Sequence, residues 1–286
     1  MTTPHPDLSP APHPGAHLDP GSEPGSWFGG LAAELGALAA ACPGTLAVAV
    51  DGGPGVNGDL ELPLASTGKL LLLAETAMGL DAGALAPDEP VDLLDEDYCP
   101  GSGLLTGLSQ RRWTVADLAL LTAAVSDNTA TNALLRRIGL ARVNAGAAAL
   151  GLARTRLLDR IREPRLPEHP PAFALGTAAE LARLAALAAG DAPWARIMLG
   201  WMAANTDRGL AAALVPHDPE ARAAVPGEVW VANKTGTDVG TRADVGVFTG
   251  RRRVAYAVLA SGPPGSEPAL VDSVRQAGLL ISHLAT

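Results

Sequence analysis

Lysine is nearly absent from this chain. Among 286 residues only Lys69 and Lys234 are lysines, against nineteen arginines. Cysteine is as scarce, with Cys42 and Cys99 alone. They form neither a CxxC pair nor a zinc spacing, which excludes a disulfide framework and leaves two free thiols as the expectation. His169, His217 and His283 are far apart in the chain and make no metal motif, so no metal and no cofactor are predicted. Aromatic residues are only 3% of the total, so the core has to be built from alanine, leucine and valine. No apolar run has the roughly 20 residues of a membrane-crossing helix, and no membrane association is predicted. Positive charge is also short: the net charge of -9 and pI near 5.1 argue against a nucleic-acid partner. The densest basic cluster, Arg251-Arg252-Arg253, lies between two strand-like runs and reads as a solvated hairpin turn. The first 25 residues contain no lysine, arginine or hydrophobic stretch, unlike a signal peptide or a membrane anchor. They are rich in proline and glycine and hold His5, His13 and His17, which predicts a disordered tail over 1–25 and, for the chain as written, a cytoplasmic protein.

What is present is mostly helical periodicity, with strand patterns near the two ends. Residues 26–42 read as a helix stopped by Pro43-Gly44, and Thr45 to Val50 as a β-branched strand ending in the glycine-rich turn 51–58. A helix opens at Ser66 or Thr67 and runs through Met78. Thr114 caps another over 115–125, and further helices are expected at 129–138, 140–150, 176–190 and 194–204. Between 160 and 174 four prolines forbid a regular helix, and a long loop of this kind is usually functional or disordered. Strands are expected at 228–233, 243–249 and 254–260, then a last helix over 267–283. The strand-bearing ends are too short to fold separately. The prediction is an α/β (α+β) fold, with one antiparallel sheet flanked by the terminal helices and an inserted all-helical lobe. Residues 26–65 and 207–286 form the sheet lobe and 66–206 the helical lobe, with a ligand cleft between them. Absence of heptads and of an obvious apolar patch predicts a monomer.

The two lysines sit in motifs. Lys69 ends Ser66-Thr67-Gly68-Lys69, Lys234 opens Lys234-Thr235-Gly236, and Ser126-Asp127-Asn128 lies between. Arginine does not lose its proton in a protein, whereas a buried lysine near a second cation is driven towards its neutral, basic form. Ser66 and Lys69 are three apart at a helix start, so they share a face, and a serine hydroxyl needs a base before it can attack. Backbone N–H groups at that helix start are suited to a developing oxyanion. Taken singly, Ser66 reads equally as a helix cap, Ser126-Asp127-Asn128 as a capping turn, and Lys234-Thr235-Gly236 as a strand end followed by a turn. A Walker-type phosphate loop is excluded, because Pro63 and Leu70 occupy positions that such a loop gives to glycine and to serine or threonine.

Together the motifs resemble the class A serine β-lactamases and, more broadly, the penicillin-recognising SxxK acyltransferases, over roughly residues 30 to 284. The resemblance extends to Tyr98-Cys99-Pro100, to the run from Trp113 to Leu118, to Thr129-Ala130-Thr131-Asn132, to Glu163-Pro164-Arg165-Leu166, to Trp201-Met202 and to Gly240-Thr241-Arg242. It implies a β-lactamase/transpeptidase-like fold and hydrolysis of a small-molecule β-lactam through an acyl-serine. It implies Ser66 as nucleophile, Lys69 in its base network, Ser126 as proton donor to the leaving nitrogen and Glu163 as the deacylation base. Tyr98 would line the cleft and Asn128 would hold the substrate's amide side chain. Lys234, Thr235 and Arg242 would grip its carboxylate beside Gly236, and the N–H groups of Ser66 and Thr237 would form the oxyanion hole. The loop departs from the family pattern. Arg162 is an additional residue before Glu163, Pro167 replaces an asparagine, and Glu168 is the candidate for the missing loop-locking aspartate. Alternatives are a D-Ala-D-Ala peptidase, an SxxK esterase, and a slowly deacylating penicillin-binding sensor.

Overall fold

The structure, a computed structural model, describes residues 24–286 except 222 and 226, so most of the tail expected over 1–25 lies outside the described residues. Its elements run α1 (Pro24–Ala41), β1 (Thr45–Val50), β2 (Gly55–Val56), β3 (Leu62–Pro63), a 3₁₀ turn Ala65–Gly68 and α2 (Lys69–Asp81). Then come β4 (Pro90–Asp92), β5 (Arg112–Thr114), α3 (Val115–Ala124), α4 (Asn128–Ile138), α5 (Leu140–Ala149), β6 (Arg156–Leu157) and β7 (Ala174–Gly176). The chain ends with α6 (Ala178–Ala188), α7 (Pro193–Ala203), β8 (Trp230–Asp238), β9 (Thr241–Thr249), β10 (Arg253–Ser261) and α8 (Glu267–Ser282).

The two ends of the chain meet in one five-stranded antiparallel sheet, ordered β2-β1-β10-β9-β8. Its register runs from Thr45↔Ser261 to Val50↔Tyr256 between β1 and β10, and from Trp230↔Thr249 to Asp238↔Thr241 between β8 and β9. Period-two alternation divides the side chains between two cores. Leu46, Val48 and Val258 face α1 and α8, where they meet Leu35, Leu270, Val274 and Ile281. Ala47, Ala49, Ala243 and Ala257 face the other way, where their small side chains let α6 lie close through Ala178, Leu181 and Ala185. The scarcity of aromatics is thus matched by an alanine-lined face that admits helices closely. Helix α2 is apolar around its circumference and buried over most of its length, as a central helix should be.

Helix starts follow local chemistry. Thr114 caps α3 by accepting the Asp117 N–H at 3.0 Å, and Asp117 returns a bond from the Thr114 N–H at 3.3 Å. Asp127 caps α4 by accepting the Ala130 N–H at 2.8 Å. Two boundaries differ from expectation in ways that matter for the site. Helix α2 begins at Lys69, and Ser66 lies in the 3₁₀ turn before it, making no capping bond. Strand β8 continues to Asp238, so Lys234-Thr235-Gly236 is mid-strand rather than beyond a strand end. Lysine, glycine and aspartate are poor strand formers, but here pairing to β9 overrides propensity. Among the described residues no helix is long and apolar enough to cross a membrane, and no group of three His, Cys, Asp or Glu side chains is arranged for a metal ion. Cys42 and Cys99 are both free.

Candidate active site

Both lysines are fully buried. Lys69, on the first turn of α2, places its Nζ 2.6 Å from the Ser126 carbonyl oxygen, 2.9 Å from Ser126 Oγ and 2.8 Å from Asn128 Oδ1. Burial holds its pKa well below the ordinary lysine value, and the nearby Lys234 cation pushes it the same way, against an opposing pull from Asp127. A neutral amine has two N–H donors and one lone pair. As an ammonium its Nζ donates to all three oxygens; once the proton leaves, the two carbonyl oxygens keep their N–H donors and the lone pair is left to the Ser126 hydroxyl. No hydrogen bond joins Lys69 Nζ to the Ser66 hydroxyl. The resting amine therefore addresses Ser126.

The backbone that presents these groups is strained at two non-glycine positions. Ala65, immediately before Ser66, has φ 45°, and Ser126 has φ 55°. Left-handed conformations at such residues persist only when the surroundings over-determine them. Around Ser126 they do: the buried Asp127 carboxylate accepts the Leu104 and Leu105 N–H groups at 2.6 and 2.9 Å, and Asn128 donates its amide to the Pro100 carbonyl at 2.8 Å. Around Ser66 the constraint comes from β8. A methyl group on Gly236 would meet the Leu64 oxygen at 2.7 Å, the Thr67 nitrogen at 3.0 Å and the Ser66 nitrogen at 3.2 Å. Only a glycine lets the strand lie this close to the Ser66 N–H, one residue from Thr237.

Lys234 approaches from β8. Its Nζ donates to the Thr235 carbonyl at 2.9 Å, and burial lowers its pKa to about 8 although Asp207 and Asp244 favour its charge. The Thr235 hydroxyl donates to Asp207 Oδ2 at 2.7 Å. Further behind the strand lies Asp244, fully buried, its carboxyl raised to about 7 by desolvation even though it accepts bonds from Asn233, Tyr256 and the Ala211 N–H. Asn233 also receives Arg208 and Asn205.

Two cavities meet at Ser66. The larger, about 760 Å³, is lined by Ser66, Asn128, Glu163 and Thr237 and walled by the loop from Ile161 to Phe173. The smaller, about 170 Å³, includes Ser66, Ser126, Asp207, Thr235 and Thr237. Ser66, Ser102 and Thr237 border both. Glu163 is exposed on the loop wall, and its carboxylate makes no hydrogen bond among the described residues. The loop is fastened elsewhere. Asn132 donates to the Asp97 and Ile161 carbonyls at 3.2 and 3.0 Å and accepts the Ile161 N–H at 2.9 Å. Asp159 pairs with Arg162 at 2.7 Å and Arg165 at 3.1 Å. That corrects the expectation for the loop lock: Asp159 supplies the aspartate, and Glu168 makes no ion pair among the described residues.

Of the sequence candidates, Lys69, Lys234 and Gly236 are buried behind the cavity walls, and Tyr98 and Arg242 also stand outside the two linings. Tyr98 is half-buried, with the Arg111 guanidinium 5.2 Å from its ring centroid. Arg242 donates through Nη1 to the Asp238 and Thr241 carbonyls, both at 2.7 Å. Sequence reasoning passed over Asp207, Asp244 and Ser102 and gave Asn132 no role. The two aspartates are single acidic residues in unremarkable contexts, and no spacing signal marks them.

A sequence model described as the beta-lactamase enzyme family matches residues 30–284. Among solved structures, a beta-lactamase from Sphaerobacter thermophilus is 28% identical, with a TM-score of 0.76 over 90% of this chain and 98% of that one. An ancestral class A beta-lactamase is 29% identical, with a TM-score of 0.73 over 89% and 99% of the two chains. A protein named PBP-A, 21% identical with a TM-score of 0.76 over 89% and 95%, shares the fold. No curated protein sequence matches the chain.

Proposed function

The chain belongs to the beta-lactamase enzyme family, hydrolases of the β-lactam amide bond, and we propose that it opens the ring through an acyl intermediate on Ser66. The observation that carries this is the buried Lys69 amine, driven towards its neutral form and held against Ser126 at the edge of the cavity that Ser66 fronts.

In this reading the Ser66 oxygen attacks the lactam carbonyl and its proton passes into the Lys69 network. The N–H groups of Ser66 and Thr237 hold the negative oxygen, which preorganised donors do most effectively in a site that excludes water. The C–N bond then breaks and the ring nitrogen takes a proton from Ser126, which Lys69 replenishes. That route fits an amine whose free contacts already include the Ser126 hydroxyl. Asn128 orients the substrate from its place beneath the larger cavity. For deacylation a water, deprotonated by Glu163, attacks the acyl carbon, and Ser66 recovers its proton. All these groups come from one chain, and a monomer is the proposed working unit.

The unpartnered, exposed Glu163 carboxylate favours a second reading for this last step alone, namely slow deacylation. Timed intact-mass spectra during penicillin exposure, beside turnover of a chromogenic cephalosporin, separate the two. Rapid turnover with only a transient adduct is expected, and Ser66→Ala should abolish both signals. A persistent adduct on the unaltered protein selects the slow-deacylating sensor. Neither adduct nor turnover removes acyl-serine chemistry altogether.

A further inference from the structure

Ser102 stands at the junction of the two cavities. Ser66, Ser102 and Thr237 are the residues that border both spaces. Thr237 reaches the junction from β8, and Ser102 reaches it from the helical side, at the centre of Gly101-Ser102-Gly103. That turn is held in place. Gly101 and Gly103 have φ 102° and 112°, a left-handed region that favours glycine, and a methyl group on Gly103 would lie 2.3 Å from Asp127 Oδ2. The Ser102 carbonyl accepts the Asn128 N–H at 3.1 Å. On either side, Asp127 accepts the Leu104 and Leu105 N–H groups and Asn128 donates to the Pro100 carbonyl. The turn is thus fastened to the segment that carries Ser126. Ser102 alone of its three residues has a side chain. It is exposed, and its hydroxyl makes no hydrogen bond among the described residues.

The small cavity lies on the side of the leaving nitrogen, since Ser126 lines it. Apart from Ser66 and Ser126, four hydroxyl groups belong to its wall: those of Ser102, Thr206, Thr235 and Thr237. A hydroxyl has one proton to give. Thr206 gives its proton to the Ala124 carbonyl at 3.0 Å and Thr235 to Asp207 at 2.7 Å. Ser102 and Thr237 keep theirs, one on each side of the cleft. Lys234 adds its charge from behind the wall, with one N–H spent on the Thr235 carbonyl. A substrate anion in this space therefore meets a free donor on the helical side as well as on the strand.

We propose that Ser102 is a substrate-binding residue whose hydroxyl donates to a carboxylate on the carbon next to the lactam nitrogen, from the side opposite Thr237. The proposal rests on the β-lactam reading above and adds a contact from the helical wall to the grip supplied by β8. A hydrogen bond to an ionised oxygen is roughly twice as strong as one to a neutral oxygen, so this contact favours the charged substituent over a neutral one of the same shape. A hydroxyl fixed by its turn before the substrate arrives gives up little entropy on binding it.

The test is a matched pair of lactams with one ring system, one carrying the free acid and the other the primary carboxamide at that carbon. The quantity read for each protein is the ratio of the two kcat/KM values, acid over amide. Ser102→Ala should lower that ratio by about fivefold or more, because the ionised acceptor loses more than the neutral one. Ser102→Val should lower it alike. Ser102→Thr, which matches Ser102→Val in shape and keeps the hydroxyl, should hold it within about twofold of the unaltered protein. Two variants without the hydroxyl keep the comparison intact if one misfolds. A ratio that neither Ser102→Ala nor Ser102→Val changes, or one that Ser102→Thr lowers as far as Ser102→Val does, overturns the proposal and leaves Ser102 acting through the shape of its turn. Turnover of either compound by the unaltered protein keeps the hydrolase reading standing in that case. Failure to turn over either lactam, with no mass gained on Ser66, removes both together.

Discussion

Lys69→Arg separates charge from proton transfer. Arginine keeps the positive charge and cannot surrender it, so a site that needs an unprotonated amine should lose about 100-fold or more in kcat/KM. Acyl-adduct formation followed by mass measures the same loss without the deacylation step, and activity near that of the unaltered protein would reduce Lys69 to a structural cation. Lys234 gives the opposite test. Its pKa of about 8 means that it is a cation below that value and loses its charge as pH rises through it. If its charge supports substrate binding, kcat/KM should fall above about pH 8, and Lys234→Arg should carry that descending limb out of range. A limb unmoved by Lys234→Arg assigns the titration to another group. Both lysines were legible in the sequence because scarcity and motif coincided. Asp207 and Asp244 were not, because a lone aspartate looks the same in sequence whether folding aims it at solvent, at a strand hydroxyl or into a core. The left-handed backbone at Ala65 and Ser126 was equally hidden, since neither residue is one that prefers it.

At the level of elements, helices read from periodicity fall close to where they form, and the misplaced boundaries are those under tertiary control. Strand β8 was ended too early because Lys234, Gly236 and Asp238 lack strand propensity, yet β9 pairs with every residue through Asp238. Gly236 shows what the longer strand accomplishes. Gly236→Ala puts a methyl 2.7 Å from the Leu64 oxygen and forces β8 away from the Ser66 turn. Overpacking of this kind costs roughly 1–3 kcal/mol. A displacement of about 1 Å at reacting groups costs about 100-fold in rate. Activity should therefore fall far more than thermal stability does, measured by kcat/KM beside a melting curve; parallel losses would mean that the contact serves folding alone. The loop carrying Glu163 makes a second element-level case. Asn132→Ala strips three bonds from the Asp97 and Ile161 backbone, leaving the buried Asp97 carbonyl unpaired at about 1–3 kcal/mol and the half-buried Ile161 groups unpaired at less. Because Asn132 holds the loop and makes no hydrogen bond to Ser66 or Lys69, adduct formation should persist while adduct decay slows by about tenfold. Decay at the original rate would show that Glu163 does not depend on this clamp, or does not serve deacylation.

Across the whole molecule the expectation of a sheet assembled from both chain ends follows from a simple constraint: neither strand-bearing segment has enough surface to bury alone. What that constraint could not supply is the polar seam behind β8, where Asn205 and Arg208 from the segment after α7 meet Asn233, Asp244 of β9 and Tyr256 of β10. The seam joins the helical part to the sheet, and it has a pH signature. Desolvation raises the Asp244 carboxyl from 3.8 to about 7 in the folded protein. A raised acid binds more protons folded than unfolded, so its contribution to stability is fully present below about pH 4 and is lost as pH climbs through about 7. Asp244→Asn cannot titrate, and groups common to both proteins cancel in the difference. The unfolding free energy of the original protein minus that of Asp244→Asn should therefore decline between about pH 4 and pH 7, by up to about 4 kcal/mol. Urea unfolding of both proteins at several pH values measures it. A difference that stays flat across that window would mean that Asp244 is ionised throughout, held so by Asn233, Tyr256 and the Ala211 N–H, and that the seam is a permanently charged one.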